Sequence, residues 1–125
     1  MRRFLIALIT AVIAFSTPVK ADTEFHTAKA TAYCLKGETA TGTQVTEGRT
    51  IASKPEWFNK CMVMFEDDGD GVIKPENYLG TYIVEDTGGE PIRKGYVIDV
   101  YIEDYDRAIQ YGSKDVIFMI IDAEG

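Results

Sequence analysis

The sequence predicts a mainly β fold of six strands and one short α-helix, closed into a barrel. Three observations carry this prediction. Apolar and β-branched runs of strand length recur along the chain, with Gly- and Pro-containing turns between them. Only residues 104–111 have the composition and the caps of a helix. Six strands within residues 22–125 fit a closed barrel better than a sandwich.

The elements follow one another in a simple order. The predicted strands cover residues 25–35, 49–53, 61–65, 78–85, 96–102 and 116–121. The last run is apolar throughout and is therefore expected to be central, since a solvent-facing strand would alternate. Asp104 can cap the helix and Gly112 ends it. Trp57, the sole tryptophan, is expected to anchor the core, with stacking on a sugar ring as the alternative.

The first 21 residues have the pattern of a cleavable secretory signal. A basic start precedes a nearly uninterrupted apolar run at residues 4–15, and a Val-x-Ala sequence ends the segment. The run is shorter than the about 20 apolar residues that span a bilayer, although an uncleaved anchor is the alternative. We expect cleavage after Ala21 and a mature domain of residues 22–125. This domain would act in the cell envelope or be secreted, without stable membrane association.

The charge of the mature chain restricts its partners. Residues 22–125 carry 10 basic and 20 acidic side chains, a net charge of −10. So acidic a surface should repel nucleic acid and anionic lipid, which leaves a neutral or locally cationic substrate. The length is that of one domain, which we expect to be a monomer. No residues suggest a nucleotide, zinc or flavin site, and we expect no cofactor.

The most informative stretch runs from Glu85 to Tyr101 and holds two acids. Asp86 ends an apolar strand just before a Gly-Gly turn, and Asp99 lies between apolar residues inside the next strand. A carboxylate in such a run is costly to bury unless it is paired, hydrogen-bonded or neutral. We therefore predict that the turn brings Asp86 and Asp99 together as a site. The alternatives are a turn residue that binds the following amides for Asp86 and an exposed edge position for Asp99.

Several motifs in a known order resemble the 3D domain, which is named for its three aspartates. They are A-T-A-Y at 30–33, T-A-T-G-T at 39–43, R-T-I-A at 49–52, D-T-G-G at 86–89, I-D-V-Y at 98–101 and the final V-I-F-M-I-I run at 116–121. That domain occurs in secreted bacterial cell-wall proteins, including a stationary-phase survival family of lytic transglycosylases. Its core is similar to the barrels of membrane-bound lytic transglycosylase A and rare lipoprotein A.

The resemblance implies a double-psi β-barrel that cleaves the glycan strands of peptidoglycan and leaves a 1,6-anhydro product. In that family the aspartate of the I-D-V strand is the general acid/base, which falls here on Asp99, with Asp86 assisting. Ser53 replaces the family's first aspartate, and Lys54 is inserted before the following proline. Two alternatives therefore stay open, a non-catalytic glycan-binding or wall-loosening module and a muramidase-type hydrolase.

Four residues are candidate substrate contacts. Thr41 lies in the hydroxyl-rich loop and Tyr33 in the first strand, although core packing explains Tyr33 equally well. Thr87 and Gly88 belong to the turn that follows Asp86.

An acidic loop offers a weak calcium candidate. Glu66, Asp68 and Asp70 occupy the first three ligand positions of an EF-hand template, but Asn77 stands where a bidentate Glu belongs. The alternative is an acidic hairpin loop between two strands.

Two cysteines, Cys34 and Cys61, remain in the mature chain. In an oxidising compartment they are candidates for a disulfide, and two buried free thiols are the alternative.

Overall fold

Six strands close into a barrel, which confirms the predicted fold class. The structure is a computed structural model and describes residues 24–122, so the predicted signal peptide at residues 1–21 lies outside the described residues. The strands are β1 (Glu24–Tyr33), β2 (Thr50–Ala52), β3 (Lys60–Glu66), β4 (Tyr78–Asp86), β5 (Val97–Tyr101) and β6 (Lys114–Asp122). Within residues 24–122, no helix is both long enough and apolar enough to cross a membrane.

The strand order around the barrel is β1-β5-β2-β4-β3-β6, and β6 closes on β1. The pairs β1–β5 and β2–β4 are parallel, and the other four pairs are antiparallel. The register between β2 and β4 shifts by one residue. Ile51 pairs with Val84, but the next residue, Ala52, pairs with Asp86. Glu85 is thus the extra residue of a β-bulge. Closure and strand number agree with the resemblance, and its double-psi crossing stays a prediction.

The barrel interior is filled by apolar side chains from every strand. On β5, Ile98 and Val100 are buried whereas Asp99 between them is half-buried, as the two-residue period of a strand requires. The most completely buried large side chains are Phe118, Ile51, Met62, Met64, Ile98, Val84 and Val116. Trp57 packs edge-on against Phe118, with ring centroids 5.6 Å apart, and contacts the core. Trp57 therefore packs against the core, as expected for the sole tryptophan.

Four short helical segments join the strands. They are the 3₁₀ turns Pro55–Trp57 and Pro75–Asn77 and the helices α1 (Glu90–Arg93) and α2 (Tyr105–Tyr111). The side chain of Asp104 accepts a hydrogen bond from the Arg107 amide, and Gly112 follows the last turn, so α2 has its predicted caps. The single turn α1 was not expected from the sequence. It forms because Pro91, which lacks an N–H, costs nothing in a first turn.

Candidate active site

Asp86 and Asp99 lie on either side of β2 at the same level of the barrel. Ala52 pairs with Asp99 of β5 on one side and with Asp86 of β4 on the other. Because adjacent strands are about 4.8 Å apart, the Cα atoms of the two acids are separated by about 10 Å. The two acids therefore lie at the same level of the barrel, but not on neighbouring strands joined by one tight turn, as the sequence predicted. The strand β2 lies between them, and α1 is part of the connection from β4 to β5.

Asp99 is a half-buried carboxyl with one polar side-chain partner in the described chain. Thr31 on the adjacent strand donates a hydrogen bond from Oγ1 to Asp99 Oδ1, at 2.9 Å. Burial raises the pKa of Asp99, the Thr31 hydrogen bond lowers it, and the negative charge of Asp86 raises it. The net direction of the shift is upward. A carboxyl that keeps its proton at higher pH is the form that a general acid needs.

Asp86 has the opposite environment, because three donors surround its carboxylate. Oδ1 accepts from the amides of Ala40 and Thr87, at 3.1 and 3.0 Å, and Oδ2 accepts from the Tyr33 hydroxyl at 3.0 Å. The contact with Thr87 is the turn interaction that the alternative for this residue described. The other two contacts join β1 and the hydroxyl-rich loop to the end of β4. The Asp86 carboxyl group therefore connects β1, the hydroxyl-rich loop and the end of β4.

Glu85, the bulged residue, was missed in the sequence as a functional candidate. Its side chain is 7% exposed, accepts from the Thr50 hydroxyl at 2.8 Å and pairs with Arg49 at 3.1 Å. Its carbonyl accepts from the Thr41 amide at 3.1 Å. Because of the bulge, two successive acidic side chains lie in different surroundings. Glu85 is buried, whereas Asp86 contacts the hydroxyl-rich loop.

The hydroxyl-rich loop, which holds the candidate sugar contact Thr41, lies beside Asp86. The hydroxyls of its three threonines form a chain, with Thr39 Oγ1 at 3.2 Å from Thr41 Oγ1 and 2.7 Å from Thr43 Oγ1. Thr41 is half-buried and so remains partly accessible. Its part in substrate binding stays a prediction.

The other three predicted contacts differ in their surroundings. Tyr33 binds Asp86 through its hydroxyl. The Thr87 hydroxyl is buried and has no hydrogen-bond partner within residues 24–122. A Cβ at Gly88 would lie 2.8 Å from Ile92 Cδ1 of α1, a contact that a shift at the end of that isoleucine side chain would relieve. Thr31 is the contact that the sequence reasoning missed, although the two-residue period places Thr31 and Tyr33 on one face of β1.

Ser53, where the family has an acid, adjoins the site but is completely buried. Its amide donates to the Asp86 carbonyl at 3.0 Å. The side chain is 0% exposed, and within the described chain its Oγ has no hydrogen-bond partner. Ser53 thus lies next to Asp86 in the structure, but its side chain does not face solvent.

The acidic loop differs from the calcium template. The carboxylates that converge are those of Asp67, Asp68 and Asp70, within 4.8 Å of one another, so Glu66 is replaced by Asp67. Lys74 Nζ lies 2.8 Å from Asp68 Oδ2 and 2.6 Å from Asp70 Oδ2. Its hydrogen bond lowers the pKa of Asp68 to about 2. The lysine thus supplies a cation from the chain itself, and the loop joins β3 to β4 as the hairpin alternative describes.

Cys34 and Cys61 are both free, so of the two alternatives the structure has free thiols. Cys34 follows β1 and Cys61 lies in β3, and these strands are not neighbours in the barrel. A disulfide needs Cα atoms within about 7 Å.

Comparison with known proteins gives a distant likeness in structure. No protein-family model and no curated protein matches this chain. Among the solved structures that match is the crystal structure of MltA from E. coli, with a TM-score of 0.49 and 16% sequence identity. The match covers 70% of this chain and 28% of that one, so this chain spans less than a third of the length of MltA.

Proposed function

We propose that this protein is an exported lytic transglycosylase that cleaves the glycan strands of peptidoglycan. The observation that carries the proposal is the pair of unlike carboxyls on the barrel. Asp99 has a raised pKa through burial and through the charge of Asp86, whereas Asp86 accepts three hydrogen bonds. Two acids whose surroundings differ in this way suit separate roles in glycosidic cleavage.

In this reaction the Asp99 carboxyl gives its proton to the glycosidic oxygen that leaves C1 of the muramic acid. As the C1–O bond breaks, positive charge develops on the sugar ring, and the carboxylate of Asp86 would stabilise it. The 6-hydroxyl of the same sugar then attacks C1 and returns its proton to Asp99. The products are a shortened strand and a 1,6-anhydro end, and no water is consumed.

Thr31 and the loop would support these steps. A hydrogen bond from Thr31 orients the Asp99 carboxyl, and it strengthens when Asp99 becomes an anion in the middle of the reaction. Thr41 would offer a hydroxyl to the sugar from the loop that Asp86 and Glu85 hold in place.

The test is digestion of purified peptidoglycan, with mass spectrometry of the released fragments. We expect fragments that end in 1,6-anhydro-muramic acid from the wild-type protein. Asp99→Asn should release at least about 100-fold less, because a general acid/base contributes about 10² to 10⁴ to the rate. Asp86→Asn should retain partial activity, since Asp86 donates no proton in the scheme.

Other outcomes would overturn the proposal in distinguishable ways. Reducing muramic acid ends would indicate a hydrolase, which uses water and two flanking acids. No release by the wild-type protein, combined with co-sedimentation with peptidoglycan, would indicate the binding module. Buried Ser53, at the position where the resembled family has its first aspartate, is the observation that favours this second candidate.

A further inference from the structure

Tyr33 crosses two strands to reach Asp86. It lies at the end of β1, and β5 and β2 separate β1 from β4 in the barrel. Its hydroxyl nevertheless donates to Asp86 Oδ2 at 3.0 Å. This hydrogen bond therefore joins two strands that two other strands, those carrying Asp99 and Ala52, separate in the barrel.

The Tyr33 side chain is held by contacts at its ring and at its hydroxyl. Its ring packs edge-on against Tyr101, the residue paired with it on β5, with centroids 5.4 Å apart. The Asp86 carboxylate is anchored in turn, because its other oxygen accepts from the amides of Ala40 and Thr87. Tyr33 thus completes a set of donors that leaves Asp86 little freedom to rotate.

We propose that Tyr33 is a positioning residue that holds the Asp86 carboxylate at a fixed place beside Asp99. It acts through Asp86 and not by touching substrate. Without the phenol hydroxyl, Oδ2 loses its donor and the carboxylate is free to turn toward solvent, where its charge acts less on Asp99. The consequence for catalysis rests on the proposed function, whereas the effect on Asp99 does not.

The titratable groups around the pair are consistent with this role. Burial, followed by Asp86, Asp99 and Tyr101, raises the pKa of Tyr33, so the phenol stays protonated and remains a donor. Around Asp99, burial raises the pKa, Thr31 lowers it and Asp86 raises it. The charge of Asp86 thus acts on both the Tyr33 phenol and the Asp99 carboxyl, so removing that charge is expected to change the pKa of each.

The experiment is a carbon NMR titration of the Asp99 carboxyl in five proteins. They are the wild type, Tyr33→Phe, Asp86→Asn, the double variant of these two and Tyr101→Phe. We expect the apparent pKa of Asp99 to fall in Tyr33→Phe and in Asp86→Asn, because each weakens the same negative charge. The double variant should match Asp86→Asn alone, since Tyr33 acts only through Asp86. Tyr101→Phe, the matched control, should resemble the wild type.

Two results would overturn the inference. One is an unchanged Asp99 titration in Tyr33→Phe, with a native circular dichroism spectrum. The other is a double variant in which the two effects add. If the Tyr33→Phe protein does not fold, the comparison moves to Tyr33 in Asp86→Asn, whose phenol should titrate at lower pH than in the wild type. An unchanged phenol would show that the contact is absent in solution.

Activity gives a separate readout. Tyr33→Phe should lower kcat about tenfold with little change in KM, as expected for lost positioning. Its pH optimum should move toward acid. A raised KM with an unchanged kcat would mean direct substrate contact and would overturn the positioning role. If the wild-type protein releases no anhydro product, the proposed function fails, and the NMR titration alone decides the role of Tyr33.

Discussion

At the scale of single residues, Ser53 is the position where the structure adds most to what the sequence indicates. The sequence shows only that a serine replaces an acid, which is compatible with a weakened enzyme or with a binder. The structure adds that this side chain is fully buried and that its hydroxyl lacks a partner within residues 24–122. A buried hydroxyl without a hydrogen bond destabilises the fold, because its bonds to water are lost and not replaced.

Replacing this hydroxyl is therefore expected to stabilise the protein. Ser53→Ala should raise the free energy of unfolding by about 1 kcal/mol, the cost of one unsatisfied buried group. Ser53→Asp should lower it, since a charge would be buried without a counter-charge. Urea denaturation measures both, with the exposed Ser113→Ala as control. A loss of stability in Ser53→Ala would mean that the hydroxyl has a partner in solution.

The site residues were predictable to different degrees for a physical reason. Asp86 and Asp99 stand out because a carboxylate in an apolar run is costly to bury, and this cost is visible in the sequence. The link between Tyr33 and Asp86 is not visible, because it depends on which strands lie between them. Thr31 could have been found from its shared face with Tyr33, but only after β1 is paired with β5.

At the scale of elements, caps and bulges decide where each strand and helix ends. Asp104 and Gly112 bound α2 as the sequence predicts, because capping depends on residues adjacent in the chain. The bulge at Glu85 was not predicted, because it arises from the register between β2 and β4. His26 lies within β1, as the predicted strand at residues 25–35 implies, and its ring stacks on Phe118 of the paired strand β6.

The cap of α2 gives a test at this scale. Asp104→Ala should lower the free energy of unfolding by about 1 kcal/mol, because the Arg107 amide loses its acceptor. Asp104→Asn should stay close to the wild type, since asparagine caps about as well. Urea denaturation followed by circular dichroism measures both. Equal losses in the two variants would indicate that charge, not capping, is responsible.

At the scale of the whole molecule, closure of the barrel gives every strand two neighbours and fixes Asp99 in a half-buried position. The half-buried position of Asp99 therefore lowers the stability of the fold at neutral pH. The pKa of Asp99 is raised in the folded state, so its neutral form is favoured there. Its contribution to stability is fully present below the unfolded pKa of about 3.9 and is lost as pH rises through the folded pKa.

A neutral isostere should relieve this conflict. At neutral pH Asp99→Asn is expected to melt at a higher temperature than the wild type, because no charge is held in the half-buried position. The difference should shrink as pH falls and vanish well below the unfolded pKa of about 3.9, where the aspartate is neutral in both states. Calorimetry across this range, with the exposed Glu56→Gln as control, measures the effect. A difference in melting temperature that is constant with pH would indicate altered packing instead.

The sequence by itself determined the six strands, the capped helix and the two acids of the candidate site. These follow from local rules, namely side-chain period, capping and the cost of a buried charge, which act over a few residues. Only the tertiary structure decided that β2 separates Asp86 from Asp99, that Tyr33 reaches Asp86 and that Ser53 is buried. Those facts depend on strand order and register, which are set when the barrel closes and which no short segment encodes.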